Sequence, residues 1–318
     1  GLGTIGRASL YMSEDKATVD NHVTIIRTNP NQLSEGLLAA FLNSKYGIAL
    51  SNFGTTGSTG QLELSKGKIS SFKVPLPPQE LQNYVGDKCK LAAVVRIEGE
   101  KSLTQAIKML NDALSIGNLK FATSQYSWTK GENIFDRITS QFYLPRYFDL
   151  EAHLRGLGHE IVRMSTILSR SPIRTSTPER DSSANIPCLL TSDIDPQDIR
   201  INQPSLWVTE STHSRHAGKL EEYDVIYSSV GPPVGEAAIV LPEYLPACVG
   251  GDVSVIRTND DAHPGFVCLY LNSVFGQMQN DRYSRGIRQR RVYPSDIENF
   301  LIPKINDKDQ AIIGNLVI

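Results

Sequence analysis

The sequence predicts an α+β fold: two duplicated domains with irregular mixed sheets, linked by a long coiled-coil-type helix. Two observations carry this. An ordered series of matches recurs at an offset of about 229 residues, and a stretch with apolar residues at helical spacing lies between the copies.

The first match sets Gly3-Thr4-Ile5-Gly6-Arg7-Ala8 beside Gly231-Pro232-Pro233-Val234-Gly235-Glu236-Ala237-Ala238. The opening GLGTIG also fits G-x-G-x-x-G, a dinucleotide-loop pattern. That chemistry needs a strand before the glycines and a helix after them. No strand precedes Gly1, and Arg7–Met12 reads as a short strand. The second copy carries Pro232 and Pro233, which remove amides a phosphate would need. The glycines therefore read as a tight turn between strands.

Next, Val23-Thr24-Ile25-Ile26-Arg27-Thr28-Asn29 matches Val253-Ser254-Val255-Ile256-Arg257-Thr258-Asn259, the end of a strand in each copy. A short helix follows. Ser34 is a candidate N-cap with Leu37, Leu38, Phe41 and Leu42 on the apolar face; in the second copy Pro264 opens the helix and Phe266, Leu269, Tyr270 and Val274 form that face. A polar, turn-rich stretch comes next, then a last strand at Phe72–Pro75 and Phe300–Pro303. Gln82 and Gly86 even find Gln310 and Gly314. The second copy has an upstream portion, roughly Phe135 to Val230, with no counterpart ahead of Gly1. About 95 residues of the first domain are therefore expected to be absent, leaving unpaired strand edges to be completed elsewhere.

Between the copies, from Pro78 to about Asn118, Leu103, Ile107, Leu110 and Leu114 step by four, three and four. This is the spacing of a coiled-coil seam, and it assigns those four residues to packing on a partner helix. A buried helix within one globule has the same spacing, but the position between duplicated domains favours the connector. Asp307–Ile318 would open a second such helix.

Net charge is −2, with 32 Lys and Arg against 34 Asp and Glu, so any nucleic-acid contact must come from a local patch. No apolar run is long enough to span a bilayer, and no signal peptide is present. Cys89, Cys188, Cys248 and Cys268 form no C-x-x-C pair, which points to a reducing, cytoplasmic setting and away from structural zinc. His213 and His216 lack a third ligand nearby and read as a solvated loop.

With these elements in place, the chain resembles the specificity subunit of type I restriction–modification systems. IPCLLTSDI (186–194), GKLEEYDVIYSSVGPPVG (218–235) and KVPLPPQELQ (73–82) carry the resemblance, in that order and duplicated. It implies the C-terminal part of a first target-recognition domain at 1–77, a spacer helix at 78–118, a second recognition domain at 119–304 and the start of a second spacer helix at 305–318. The implied function is to read a bipartite sequence in double-stranded DNA, with the two helices paired antiparallel and docking methyltransferase subunits. A restriction or translocase subunit is a further implied partner. No membrane, no cofactor and no metal enter this reading. The chain departs from the pattern where the first domain lacks its early half and the second helix is cut short.

The densest basic cluster is NDRYSRGIRQRR: Arg282, Arg285, Arg288, Arg290 and Arg291, interleaved with Tyr283 and Gln289. Arginines suit phosphates, and Arg or Gln pairs with guanine or adenine edges. A solvated charged surface is the plainer reading of such a run, but the first copy has SNFGTTGSTGQLEL in its place. Loops that diverge on a matched scaffold suit two readers of different sequences. Thr55, Thr56, Ser58, Thr59 and Gln61 are the equivalent candidates. Thr191, Ser192 and Asp193 offer another polar edge, or an ordinary turn. Arg215, His216 and Lys219 are candidate phosphate clamps, whereas Arg27 and Arg257, shared by both copies, belong to the scaffold.

Catalysis is not expected. TNPNQ (28–32) lacks the second Pro and the aromatic of an adenine-methylating signature, copy two has TNDDA there, and no G-x-S-x-G is present. Two other readings stay open: the recognition region of a single-chain restriction–methyltransferase, and a protein-interaction scaffold that does not use DNA.

Overall fold

The computed structural model describes residues 5–13, 16–57, 63–124, 126, 128, 130–131, 134, 137–181 and 184–318. They form two units, Gly1–Lys101 and Ser102–Ile318. Helix and small, irregular sheets are mixed, as the sequence predicts, and one helix of 35 residues runs through the boundary.

The first unit holds α1 (Glu35–Asn43), α2 (Lys45–Gly54), α3 (Lys66–Ser70) and the first part of α4 (Gln79–Ala113). Ser44 separates α1 from α2: its hydroxyl donates to the Phe41 carbonyl at 2.6 Å and accepts the Gly47 amide at 3.4 Å. One side chain thus closes one helix and caps the next. The expected strands at 23–29 and 72–75 do not form: no neighbouring strand pairs with them among the described residues.

The second unit continues α4 and then runs through α5 (Pro145–Gly156), β1 (Glu160–Arg163), β2 (Ile186–Leu189), β3 (Ile194–Asp195), β4 (Asp198–Ile199), β5 (Leu206–Val208) and α6 (Glu210–Arg215). It goes on with β6 (Val225–Ser228), β7 (Val230–Gly231), β8 (Ala237–Ile239), β9 (Cys248–Val249) and β10 (Val253–Ile256). The chain finishes with α7 (Pro264–Asn272), α8 (Val274–Tyr283), β11 (Arg290–Arg291), α9 (Pro294–Ile297), β12 (Leu301–Lys304) and α10 (Asp307–Asn315). The sheets are β10-β6-β8, β5-β2-β9 and the pairs β1-β12, β11-β7 and β3-β4. Every pairing is antiparallel except β2 with β9, where Cys188 faces Cys248; both thiols are free and buried.

The β10-β6-β8 sheet is buried at every residue of its strands, and its apolar runs pack against α7 on one side. The spacer stripe is corrected here. Leu110 and Leu114, with Ala106, are sealed into this core, and Leu103 packs at its margin. Ile107 alone of the four is exposed. Steps of three and four also describe one helix face on a globular core, and that burial is the one adopted. The outward apolar residues of α4 lie earlier, at Leu81, Tyr84, Leu91 and Val95. Gly99 does not interrupt the helix.

The internal repeat recurs in contacts as well as letters. Asn43 and Asn272 each bracket an alanine, their amides donating at 2.7 Å to the carbonyls of Ala8 and Ala237 and their oxygens accepting the same residues' N–H groups. Gly6 (φ +82°) and Gly235 (φ +100°) both take the left-handed turn, and a Cβ on either would overlap Ser51 or Asn280. Residues 1–4 of the G-x-G-x-x-G pattern lie outside the described residues. Arg285 pairs with Arg291 across a hairpin as Thr56 pairs with Glu63. The two units therefore share these local arrangements.

Candidate nucleic-acid interface

The basic run of the second unit folds into the last turn of α8 and a hairpin. The bridge between Arg285 and Arg291 closes the hairpin with two N–H···O bonds of 2.8 Å, and Arg290–Arg291 pairs onward with Val230–Gly231. Sequence alone treats the five arginines alike; the fold separates them.

Arg282 is turned inward, 8% exposed. It pairs with Glu151, donates from Nε to the Phe142 carbonyl at 3.1 Å and stacks its guanidinium 4.5 Å from the Phe142 ring. A guanidinium so enclosed ties α8 to α5 and is withdrawn from phosphate contact, which corrects its place in the cluster. Tyr283 sits edge-on to Phe142 at 5.2 Å and packs on the core. It too faces inward.

Arg285 donates to Asp296 at 2.7 Å, an acceptor it shares with Arg137 at the same distance. Arg290 bonds Asp281 at 2.9 Å and the Ser284 hydroxyl. These partly exposed arginines brace the hairpin stem. Arg288 and Gln289, at the exposed tip, make no side-chain hydrogen bond or ion pair among the described residues, nor does the half-buried Arg291 side chain.

Asp193 is likewise a structural residue. It is buried, and its carboxylate accepts the amide of Leu190 at 2.8 Å and the amide of Ser205 at 3.0 Å. Of that edge, Ser192 is exposed and shares a 2.8 Å bond with the Ser205 hydroxyl, while Thr191 is half-buried. Arg215 donates back to Ser211, and Lys219 to the Ser214 carbonyl at 3.0 Å; both heads stay exposed. His216 bonds the Ser176 carbonyl and accepts the Gly218 amide, and His213 meets the Ala247 carbonyl, so both imidazoles serve the local backbone.

The turn at Gly250–Asp252 joins these segments. The Gly250 amide donates to Leu189, just ahead of Thr191, and the Gly251 amide to Thr177, next to the carbonyl that holds His216. Asp252 accepts the Ser229 amide through its carbonyl, and Ser229 in turn accepts Val292 beside the hairpin. Arg174, which no local motif singles out, bridges Gly251 and Asp252. Its neighbours are 77 and 78 residues away, beyond any sequence window.

Arg257 behaves as scaffold, clasping buried Asp224 with two bonds of 2.7 Å and also meeting Glu221. Those acids raise its pKa, the Asp224 hydrogen bond foremost and burial acting the other way, so that its charge is held more firmly still. Its equivalent Arg27 is exposed.

In the first unit, Thr55 spends its hydroxyl on the Ser51 carbonyl at 2.6 Å, and Thr56 is exposed at the hairpin base. Ser58, Thr59 and Gln61 lie outside the described residues.

No family model and no curated protein matches the chain. Solved structures do. The chain is similar to type I restriction–modification specificity subunits. The HsdS subunit of Thermoanaerobacter tengcongensis aligns at 16% identity and a TM-score of 0.39, over 92% of this chain and 63% of that one. A chain from work on complex assembly and conformational transition of the type I R-M system gives the same identity and TM-score, over 92% and 64%. The S subunit of a type I system from M. genitalium follows at 13%, with a TM-score of 0.34, over 91% and 66%. The chain thus spans less than two thirds of the length of each. Among the described residues no helix is long and apolar enough to cross a membrane.

Proposed function

We propose that this chain is a sequence-reading DNA subunit: a non-catalytic adaptor whose two units each read half of a split target in double-stranded DNA. In this reading the recognition is used by methyltransferase subunits, with a restriction subunit as a further partner. One observation supports it above others. Two units built on one plan close the same hairpin, Thr56 to Glu63 and Arg285 to Arg291, around unrelated sequences. Selection for two different readouts on a common frame leaves that pattern, because phosphate contacts position while loop side chains specify.

The contacts assigned to DNA are Arg288, Gln289 and Arg291 at the second hairpin and Thr56, Ser58, Thr59 and Gln61 at the first. Ser192, Arg215 and Lys219 are assigned to the surrounding backbone. Mapping adenine methylation in cells with the gene and its neighbours, against deletion of this gene alone, tests the reading. Loss of methylation at a split motif of fixed gap is the expected result; unchanged methylation removes it.

A further inference from the structure

The second hairpin carries one feature that a phosphate-binding loop does not require. Ile287, at its tip, is 101% exposed, the most exposed large apolar residue among the described ones. The stem beneath it is braced. Gly286 takes φ +99°, a conformation an isoleucine there could not share, and turns the chain into the tip. The Arg285–Arg291 bridge closes the loop below it, and the Asp296 and Asp281 ion pairs hold both sides of the stem. Antiparallel pairing of β11 with β7 carries the exposed Pro232–Pro233 turn alongside the same tip. Isoleucine has few rotamers, so little freedom is lost when it is pressed against a surface. Its sequence neighbours, Arg288 and Gln289, are the unpaired polar groups.

A braced two-stranded ribbon fits the major groove, where the apolar feature on a base edge is the thymine 5-methyl group. We infer that Ile287 is a specificity-determining residue that packs on a thymine methyl in the major groove, with Arg288 and Gln289 contacting the polar edges or phosphates beside it. The inference rests on the DNA-reading function proposed above and adds to it a base identity.

The test is selection from a random duplex pool by the full chain, followed by thymine-to-deoxyuridine replacement at each selected position. Replacement removes only the methyl group. The expected result is one thymine whose replacement weakens wild-type binding about fourfold, the worth of one buried methyl-sized group. The Ile287→Ala protein should lose the preference for that thymine and bind the two duplexes equally, with an unchanged melting temperature because the side chain touches nothing it would leave empty. A selected motif with no deoxyuridine-sensitive position, or one that Ile287→Ala still selects unchanged, overturns the inference while leaving DNA reading intact. Failure of the wild-type chain to enrich any duplex overturns the DNA-reading proposal, and this inference with it.

Discussion

The side-chain oxygen of Gln310 accepts the amide of His263 at 2.6 Å, and it does so while Gly314 of the same helix lies against Gly265 of α7. The first unit repeats the arrangement. Gln82 accepts the amide of Ser34 at 3.2 Å, and Gly36 lies against Gly86. In both units a glutamine therefore satisfies the amide of the residue that precedes a helix, beside a close approach of two helix backbones at a pair of glycines.

That closeness makes the glycines intolerant of substitution. A Cβ on Gly265 would overlap the Gly314 carbonyl, and one on Gly36 would lie 2.6 Å from the Gly86 carbonyl oxygen. Backbone cannot rotate away as a side chain can. Gly265→Val should lower the stability of the second unit by about 1–3 kcal/mol, the usual cost of overpacking. Gly36→Val should do the same in the first. Urea unfolding with probes in each unit checks both; an unchanged midpoint for Gly265→Val would contradict the close approach.

Arg282 and Arg288 should separate stability from binding. Removing Arg282 leaves Glu151 facing a cavity lined by Phe142, so Arg282→Ala should cost about 3 kcal/mol, the low end for a broken buried pair, since Glu151 is about a third exposed. Arg288→Ala should stay within about 0.5 kcal/mol of wild type, as surface changes do. For DNA the order reverses at the level of the folded protein: Arg288→Ala weakens binding and flattens its salt dependence by about one counterion. Thermal melting beside a salt titration of binding measures both.

That contrast also marks the limit of the sequence. The repeat, the long helix and the buried strands at Val225–Ser228 and Val253–Ile256 are legible, because each leaves a local pattern of apolar residues or an ordered series of matches. The second helix of each unit is not legible. VFGQMQNDRY shows no amphipathic face, and α8 is held by amide side chains such as Gln279 and Asn280 that bond across the fold. Arg282 looks like its neighbours until Glu151, 131 residues away, is brought beside it. The strand-like runs of the first unit carry a β-prone pattern, but strand is a paired state, and no strand pairs with them among the described residues.

His263 gives a pH dependence. Its Nδ1 accepts the Gly265 amide at 3.2 Å as the cap of α7, and Nε2 meets Asn315 at 3.2 Å. Burial lowers its pKa below the usual histidine value, with the Asn315 bond acting the other way. As pH falls, the unfolded chain binds this proton first. The contribution of His263 is therefore fully present above about pH 6.5 and lost as pH falls from there through the lower folded value. Protonation also puts a hydrogen on the nitrogen that caps the helix. His263→Ser, the residue the first unit uses at Ser34, should keep the cap and flatten that part of the curve. Unfolding free energies of the two proteins between pH 8 and 5 decide it: parallel curves would remove His263 as the source.

The last prediction concerns the face the first unit leaves open. Val253, Val255 and Ile256 are 0%, 1% and 0% exposed, because β10 lies against β6 and beneath the layers built from residues ahead of the second Gly turn. Their equivalents Val23, Ile25 and Ile26 are 55%, 54% and 44% exposed. They border an open trough of about 880 Å³ lined further by Leu38, Leu42, Phe72 and Val74. The same residues in the same frame are thus core in one unit and surface in the other. Ile25→Asp should change the stability of this 318-residue chain by no more than about 0.5 kcal/mol, whereas Val255→Asp, which buries a charge without a partner, should cost more than about 4 kcal/mol. Hydrogen exchange gives an independent reading: the amides of β10 should be protected to the level of global unfolding, and those of residues 23–28 should exchange at rates close to a free chain. Protection of residues 23–28 in the isolated chain would mean that this face is covered and would contradict the exposure of Val23, Ile25 and Ile26.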